Sequence, residues 1–327
     1  VSEQPQDLER LIHESLEQLG WSADAKSLAD RVKRLNIGIP LEDEFSIICG
    51  WLGKCQLVHK LDQQQYPKGS GENYQVPDLL ASFARTDGSE ATVLIEVKYC
   101  KKNVMSFKPD YYSKLRAYGN LLNLPLLIAW KRWGIWCLVS IDEFQKATKN
   151  YNLSFNDAMC NNLLSSLAGD FSYSLSINAG VHISAKKEKL VDVVETKEGR
   201  NESWHMLIDD VYFTNGNNEK IRDLSSIAQQ VFFSWDLTEE ETHTETHVTL
   251  HNTCKESSGL FAHMALTRIL SFHSREDGGI HWRSYLRDDK AISNISEYRK
   301  GIEENMRAGI VHHIFDIQPT NVPSFMK

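Results

Sequence analysis

Apolar residues recur every three or four positions at the start of the chain: Leu8, Leu11, Ile12, Leu16 and Leu19. Positions so spaced share one helical face, so an amphipathic helix is expected over 7–19. A second short helix is expected over 23–35. Gly38-Ile39-Pro40 interrupts the pattern. A third helix is then expected over 41–55, with Phe45, Ile48, Cys49 and Leu52 on one side. Its first turn holds Glu42-Asp43-Glu44, where the helix dipole favours negative charge. The polar tract 62–73, DQQQYPKGSGEN, is full of turn formers and predicts a loop.

The period then shortens to two. Segments 74–84 and 91–99 alternate as strands do, and Asp87-Gly88 between them is a hairpin signal. A helix is expected over 110–123, followed by strands at 126–130 and 135–139 with Gly134 in their turn. Helix, strand pair, helix, strand pair gives an α/β domain: a mixed β-sheet flanked by helices. Beyond about 150 the character changes. Segments 171–182 and 204–213 read as strands, and 221–235 and 260–272 as helices, which describes an α+β region. The expected organisation is a helical region over 1–36, a domain over 37–150 and an α+β domain over 151–327. No internal repeat or low-complexity tract interrupts it.

Composition leaves this picture intact. Apolar residues make up 41% and charged residues 24% of 327 residues, ordinary for a water-soluble chain with a sizeable core. No apolar run approaches the ~20 residues of a membrane helix. The first residues have neither a basic nor an apolar stretch, so no secretory signal is read there and a cytoplasmic location is expected. The six cysteines form no C-x-x-C pair and are expected to be buried thiols in a reducing compartment. The net charge of −8 counts mildly against a nucleic-acid partner. Its distribution counts the other way. Between Val97 and Gly134 stand Lys98, Lys101, Lys102, Lys108, Lys114, Arg116, Lys131 and Arg132 against the single acid Asp110. Such a local excess attracts polyanions, although a solvated helix face would read the same way.

The chemistry is concentrated in Val76-Pro77-Asp78-Leu79-Leu80 and Val93-Leu94-Ile95-Glu96-Val97-Lys98. Alternate residues of a strand share a face, so Glu96 and Lys98 point one way and Ile95 and Val97 the other. A hairpin brings Asp78 alongside. Two carboxylates and an ammonium then converge. Carboxylate oxygens suit Mg²⁺, which keeps waters and binds phosphate. A bound metal acidifies water and neutralises developing charge, and a nearby Lys orients the nucleophile or stabilises the transition state.

P-D, a hairpin and E-V-K together resemble the PD-(D/E)xK nuclease superfamily, with its restriction-endonuclease-like fold, over roughly 35–145. The resemblance implies Asp78 and Glu96 as metal ligands, the Val97 carbonyl completing the metal shell, and Lys98 as the catalytic lysine. It also implies a Glu on the preceding helix, for which Glu44 fits best and Glu42 second. A following helix presents Lys114 to phosphate, with Tyr118 on the same face. The implied activity is a Mg²⁺-dependent endonuclease, with Mn²⁺ substituting, that hydrolyses DNA in repair, phage defence or a related process. A non-cleaving nucleic-acid-binding or assembly protein on the same scaffold, and an RNase of the same fold, stay open. So does a homodimer or a partner protein engaged through the C-terminal region.

Other signals carry less. Glu241-Thr-His243-Thr-Glu245-Thr-His247, followed by His251, would put three His and one Glu on one strand face, a zinc-like set that more often is simply solvated. No G-x-S-x-G and no phosphate-cradling glycine loop occurs. Trp130, Trp133 and Trp136 flank a strand turn, where they either pack in the core or stack on bases.

Overall fold

The structure, a computed structural model, describes residues 15–16, 41–67, 69–197, 199–273 and 298–326. The helices expected over 7–19 and 23–35 lie outside the described residues, apart from the helical Ser15 and Leu16. Two compact units are present. The first holds the described residues up to Asp170, residues 270–273, and those from Asp316 onward. The second holds Phe171–Ile269 and the described residues as far as Phe315. Its chain therefore leaves and re-enters the first unit, so the two are not consecutive as the expected 37–150 and 151–327 division has them.

The first unit begins with α1 (residues 41–51). It stops short of the expected position 55 because Gly53 adopts φ +95, a left-handed conformation that ends helices cheaply only at glycine. The chain then enters β1 (Cys55–Lys60), which the helical spacing concealed. The main sheet runs in the order β1, β2 (Leu79–Ala84), β3 (Glu90–Tyr99), β5 (Leu126–Arg132), β6 (Ile135–Ser140). Only β3 and β5 are parallel, and α2 (Pro109–Leu122) lies in the crossover between them. A small antiparallel sheet joins β4 (Val104–Phe107), β8 (Tyr151–Ser154) and β7 (Gln145–Lys146). Two short helices, α3 (Phe155–Cys160) and α4 (Leu164–Ala168), close the unit. This is an α/β fold with mixed sheet flanked by helices.

Strand alternation divides the core into two faces. Ile95, Val97, Leu127 and Ala129 bury against Phe45 and Ile48 of α1. Leu94, Ile128 and Trp130 bury against Tyr112 and Leu115 of α2. The expected β2–β3 hairpin is present: Ala84 pairs with Glu90, Arg85 N–H donates to the Ser89 carbonyl, and Gly88 takes φ +83. β2 starts at Leu79 and not at 74. Pro77 has no N–H to give a ladder, and Gln75 N–H instead donates to the Lys114 carbonyl of α2.

The second unit is antiparallel. Its larger sheet has the order β12 (Lys220–Ile221), β11 (Gly199–Thr214), β10 (Gly180–Thr196), β14 (His247–Thr253), β13 (Thr238–His243). The smaller has β15 (Gly259–Phe261), β9 (Ser172–Leu175), β16 (Val311–Phe315). Helices α5 (Ser226–Phe233), α7 (Tyr298–Arg307) and, as far as Ile269, α6 (Ala262–His273) complete it. β14 accompanies β10 only as far as Lys186, so β10 and β11 continue as a two-stranded arm. Leu190, Val191, Val194 and Met206 are exposed along that arm, and Leu207 and Ile208 at its base.

The His-rich segment 241–251 is a hairpin and not one strand. His243 pairs with Glu241, His247 with Asp209, and His251 with His182. The six cysteines are free thiols; Cys49, Cys137 and Cys254 are buried, while Cys160 is exposed, contrary to expectation. Among the described residues, no helix is long and apolar enough to cross a membrane.

Candidate active site

Leu79 pairs with Ile95 and Leu80 with Leu94, which sets Asp78 beside Glu96 and Val97. The register places Asp78, Glu96 and Lys98 on the α2 face of the sheet, opposite the face that carries Ile95 and Val97. Asp78 Oδ2 accepts a 2.7 Å hydrogen bond from the Val97 N–H. Its side chain is 17% exposed and that of Glu96 only 3%. Lys98 closes the group. Its ammonium donates to Glu96 Oε1, lies 3.1 Å from the Val97 carbonyl oxygen, and is 3.8 Å from Asp78 Oδ2. The three residues expected from sequence therefore meet, together with the Val97 carbonyl.

A fourth residue completes the cluster. Tyr111, in the first turn of α2, donates its hydroxyl to the same Glu96 Oε1, and the Lys98 ammonium lies 5.8 Å from the centre of its ring. Sequence reasoning passed over Tyr111; its spacing of three residues before Lys114 was the available signal. Glu96 Oε1 thus has two donors, while Glu96 Oε2 is buried with no hydrogen-bond partner. A buried carboxylate oxygen without a partner is costly.

The electrostatics follow from burial. Burial pushes the Glu96 carboxyl up to about 7, with Lys98 opposing and Asp78 reinforcing. For Lys98, burial pulls down, but Glu96, Asp78 and then Tyr111 outweigh it and hold the ammonium protonated beyond its usual range. Burial and then Glu96 raise the Tyr111 phenol likewise, so it stays a donor.

The two helix residues expected at the site have partners of their own. Glu44 is on α1, which packs on the opposite sheet face. Both its oxygens accept from Lys131, at 2.5 and 2.6 Å, and Oε1 also accepts from Trp136 Nε1 at 3.0 Å. Glu42 is the α1 acid within electrostatic reach of Asp78. Burial and then Asp78 push it up to about 7, against a 2.6 Å ion pair with Lys60. Lys114 forms a 3.1 Å ion pair with Asp110, and Tyr118 packs at the edge of the α2-side core.

Among the described residues, no group of three or more His, Cys, Asp and Glu side chains is arranged to hold a metal ion. The cluster supplies two carboxylates and one carbonyl. That donor set suits Mg²⁺, which is bound through one or two carboxylates and retains waters. The partnerless Oε2 of Glu96 is consistent with such a ligand.

The turn between β5 and β6 lies at the same end of the sheet. Arg132 pairs with Ile135, leaving Trp133-Gly134 as a two-residue loop with φ +52 and +81. Positive φ at both positions is the type I′ arrangement that usually takes Asn-Gly. A tryptophan there is strained by about 1–2 kcal/mol. Trp130 and Trp136 are buried core residues, whereas Trp133 is 71% exposed.

No protein-family model matches the chain, and no curated protein matches it. Among solved structures, the chain has a weak similarity to Hjc, a Holliday junction resolvase of the archaeon Archaeoglobus fulgidus. Identity is 16% and the TM-score 0.30, over 36% of this chain and 89% of that one. At that level the similarity bears on neither chemistry nor substrate.

Proposed function

We propose that the first unit is a Mg²⁺-dependent endonuclease, accepting Mn²⁺, that hydrolyses phosphodiester bonds in DNA. The observation that carries the reading is the buried, partnerless Oε2 of Glu96, on the same sheet face as Asp78 and next to the Lys98 ammonium. Asp78, Glu96 and the Val97 carbonyl would hold the metal. When bound, it supplies Lewis acidity and a water of lowered pKa. Asp78 is fixed through Oδ2 by the Val97 N–H, and its other oxygen would face the metal. Lys98, pinned among three acceptors, stabilises negative charge on a phosphate rather than taking up a proton. Tyr111 orients Glu96. On α1, Glu42 is raised by Asp78 and would assist the metal or its waters, and Lys114 would reach phosphate by exchanging its exposed partner Asp110.

Plasmid cleavage with Mg²⁺ or Mn²⁺ tests this, comparing wild type with Asp78→Ala and Lys98→Ala. Activity lost in both variants is expected; activity unchanged in both sinks the assignment. A labelled RNA run in parallel separates a DNase from an RNase. One feature favours a second reading, a nucleic-acid-binding scaffold that does not cut: Lys98 already pairs with both carboxylates. That protein would give salt-sensitive DNA binding and no heat in a Mn²⁺ titration.

A further inference from the structure

We propose that Trp133 is a stacking platform for an unpaired base, so that the nucleic acid taken by this unit contains single-stranded nucleotides. This rests on the reading of the unit as a nuclease, and narrows its substrate class.

Three observations support it. Trp133 is 71% exposed, although tryptophans normally bury most of their surface. It is also rigidly held. The Arg132 guanidinium lies 3.5 Å from the ring centre, and Arg132 is itself buried, at 7% exposure. Its Nε donates to the Lys101 carbonyl at 3.2 Å, one terminal nitrogen donates to Asn103 Oδ1 at 2.9 Å, and the Phe155 ring lies 5.0 Å away. One side of the indole therefore has a fixed cation against it, and its exposed surface is available to a ligand. The left-handed backbone of Trp133 is a conformation that asparagine or glycine would take more readily. The ring meets the buried Phe155 edge-on at 6.1 Å, a contact that leaves most of the residue exposed, and local propensity does not account for an aromatic there.

The surroundings select the ligand. Lys98 pairs with Trp130 across β3 and β5, and Arg132 follows two residues on, on the same sheet face. Strand geometry sets the platform roughly 10 Å from Lys98 along the sheet. The segment between them, Cys100 to Asn103, is tied to β5 by Trp130 Nε1 and by Arg132. It exposes Lys101 and Lys102, and Lys101 lies 6.0 Å from the ring of the exposed Tyr99. Cations interleaved with aromatic faces suit a chain of alternating phosphates and flat bases. In a duplex the bases stack on one another and are not free to meet Trp133. The ligand class is therefore single-stranded DNA or RNA, or an unpaired stretch at a junction, flap or end.

The test uses the full chain in EDTA, so that binding is read without cleavage. Fluorescence anisotropy follows a labelled oligothymidylate and a duplex of equal length, with wild type, Trp133→Ala and Trp133→Phe. Expected are preference of wild type for the single strand, binding at least about tenfold weaker for Trp133→Ala, and binding close to wild type for Trp133→Phe. Equal single-strand binding by wild type and Trp133→Ala, or a wild-type preference for duplex, overturns the proposal. Cleavage with Mg²⁺ by wild type and Asp78→Ala is read separately. Asp78-dependent cleavage with unaltered binding by Trp133→Ala defeats the platform alone. Trp133-dependent binding without any cleavage defeats the nuclease reading and leaves the platform standing. Wild type that binds neither nucleic acid defeats both.

Discussion

Tyr111 donates its hydroxyl to Glu96 Oε1 across the gap between α2 and β3, and by that bond a helix residue sets the orientation of a strand carboxylate. Because Lys98 donates to the same oxygen, Glu96 is held from one side only and its other oxygen stays bare. Tyr111→Phe removes one of the two restraints. A hydrogen bond to a charged group contributes about 1.5–3 kcal/mol, so a loss of roughly 1–2 kcal/mol is expected for this partly exposed pair. Urea unfolding measures it. If Tyr111 also positions a metal ligand, kcat falls while KM for DNA stays near wild type. Unchanged unfolding and unchanged kcat would remove Tyr111 from the cluster.

Glu44 is expected to matter for folding and not for metal binding. Glu44→Ala leaves the Lys131 ammonium buried without its carboxylate and the Trp136 N–H without an acceptor. Breaking a buried pair from one side costs about 3 kcal/mol. Thermal unfolding should show that loss, and folded protein should bind Mn²⁺ as wild type does. A variant of undiminished stability that no longer binds Mn²⁺ would return Glu44 to the site.

Trp133→Asn is expected to be at least as stable as wild type. It relieves the strain of a bulky residue at φ +52, while giving up a cation–π contact with Arg132 that contributes about 0.5–1 kcal/mol. A drop of more than about 1 kcal/mol in denaturant unfolding would mean that the tryptophan is there for the fold.

The second unit should weaken in mild acid. His182 is buried between Thr214, at 2.8 Å, and His251, at 2.8 Å. Burial, then His251 and Lys220, push its pKa down to about 4. The unfolded chain takes up this proton near pH 6.5. Between those values the unfolded state binds more protons, so the stability present above pH 6.5 drains away as the pH falls toward 4. The loss is on the order of 3 kcal/mol, and His182→Gln should flatten it. Identical pH profiles for the two proteins would dismiss His182 as the cause.

Asp78, Glu96 and Lys98 were legible because a strand's period is two and a hairpin leaves its partner little freedom. Glu44 was not, because helix periodicity fixes which residues share a helix face but not which sheet face the helix covers. α1 covers the side with Val97 and Ala129, and Glu44 reaches Lys131 there. Tyr111 was hidden for the same reason, since its approach to Glu96 depends on how α2 packs. β1 was hidden behind a helix-compatible run whose break at Gly53 shows itself only in backbone conformation. In the second unit, β10 and β11 slip register at three places, which defeats simple alternation.

The return of the chain to the first unit after Phe315 has a practical meaning for dissecting the protein. Thr320 N–H donates to the Cys160 carbonyl, Asn321 N–H to the Asn161 side chain, and Arg85 to the Phe325 carbonyl. Phe325 and Met326 pack on the α1-side core. A fragment cut at 170 would lack these contacts and expose apolar surface that the intact unit covers. A better boundary removes the inserted residues from the middle and rejoins the flanks with a flexible linker, so that the proposed chemistry can be tested on a unit that keeps both of its sequence segments.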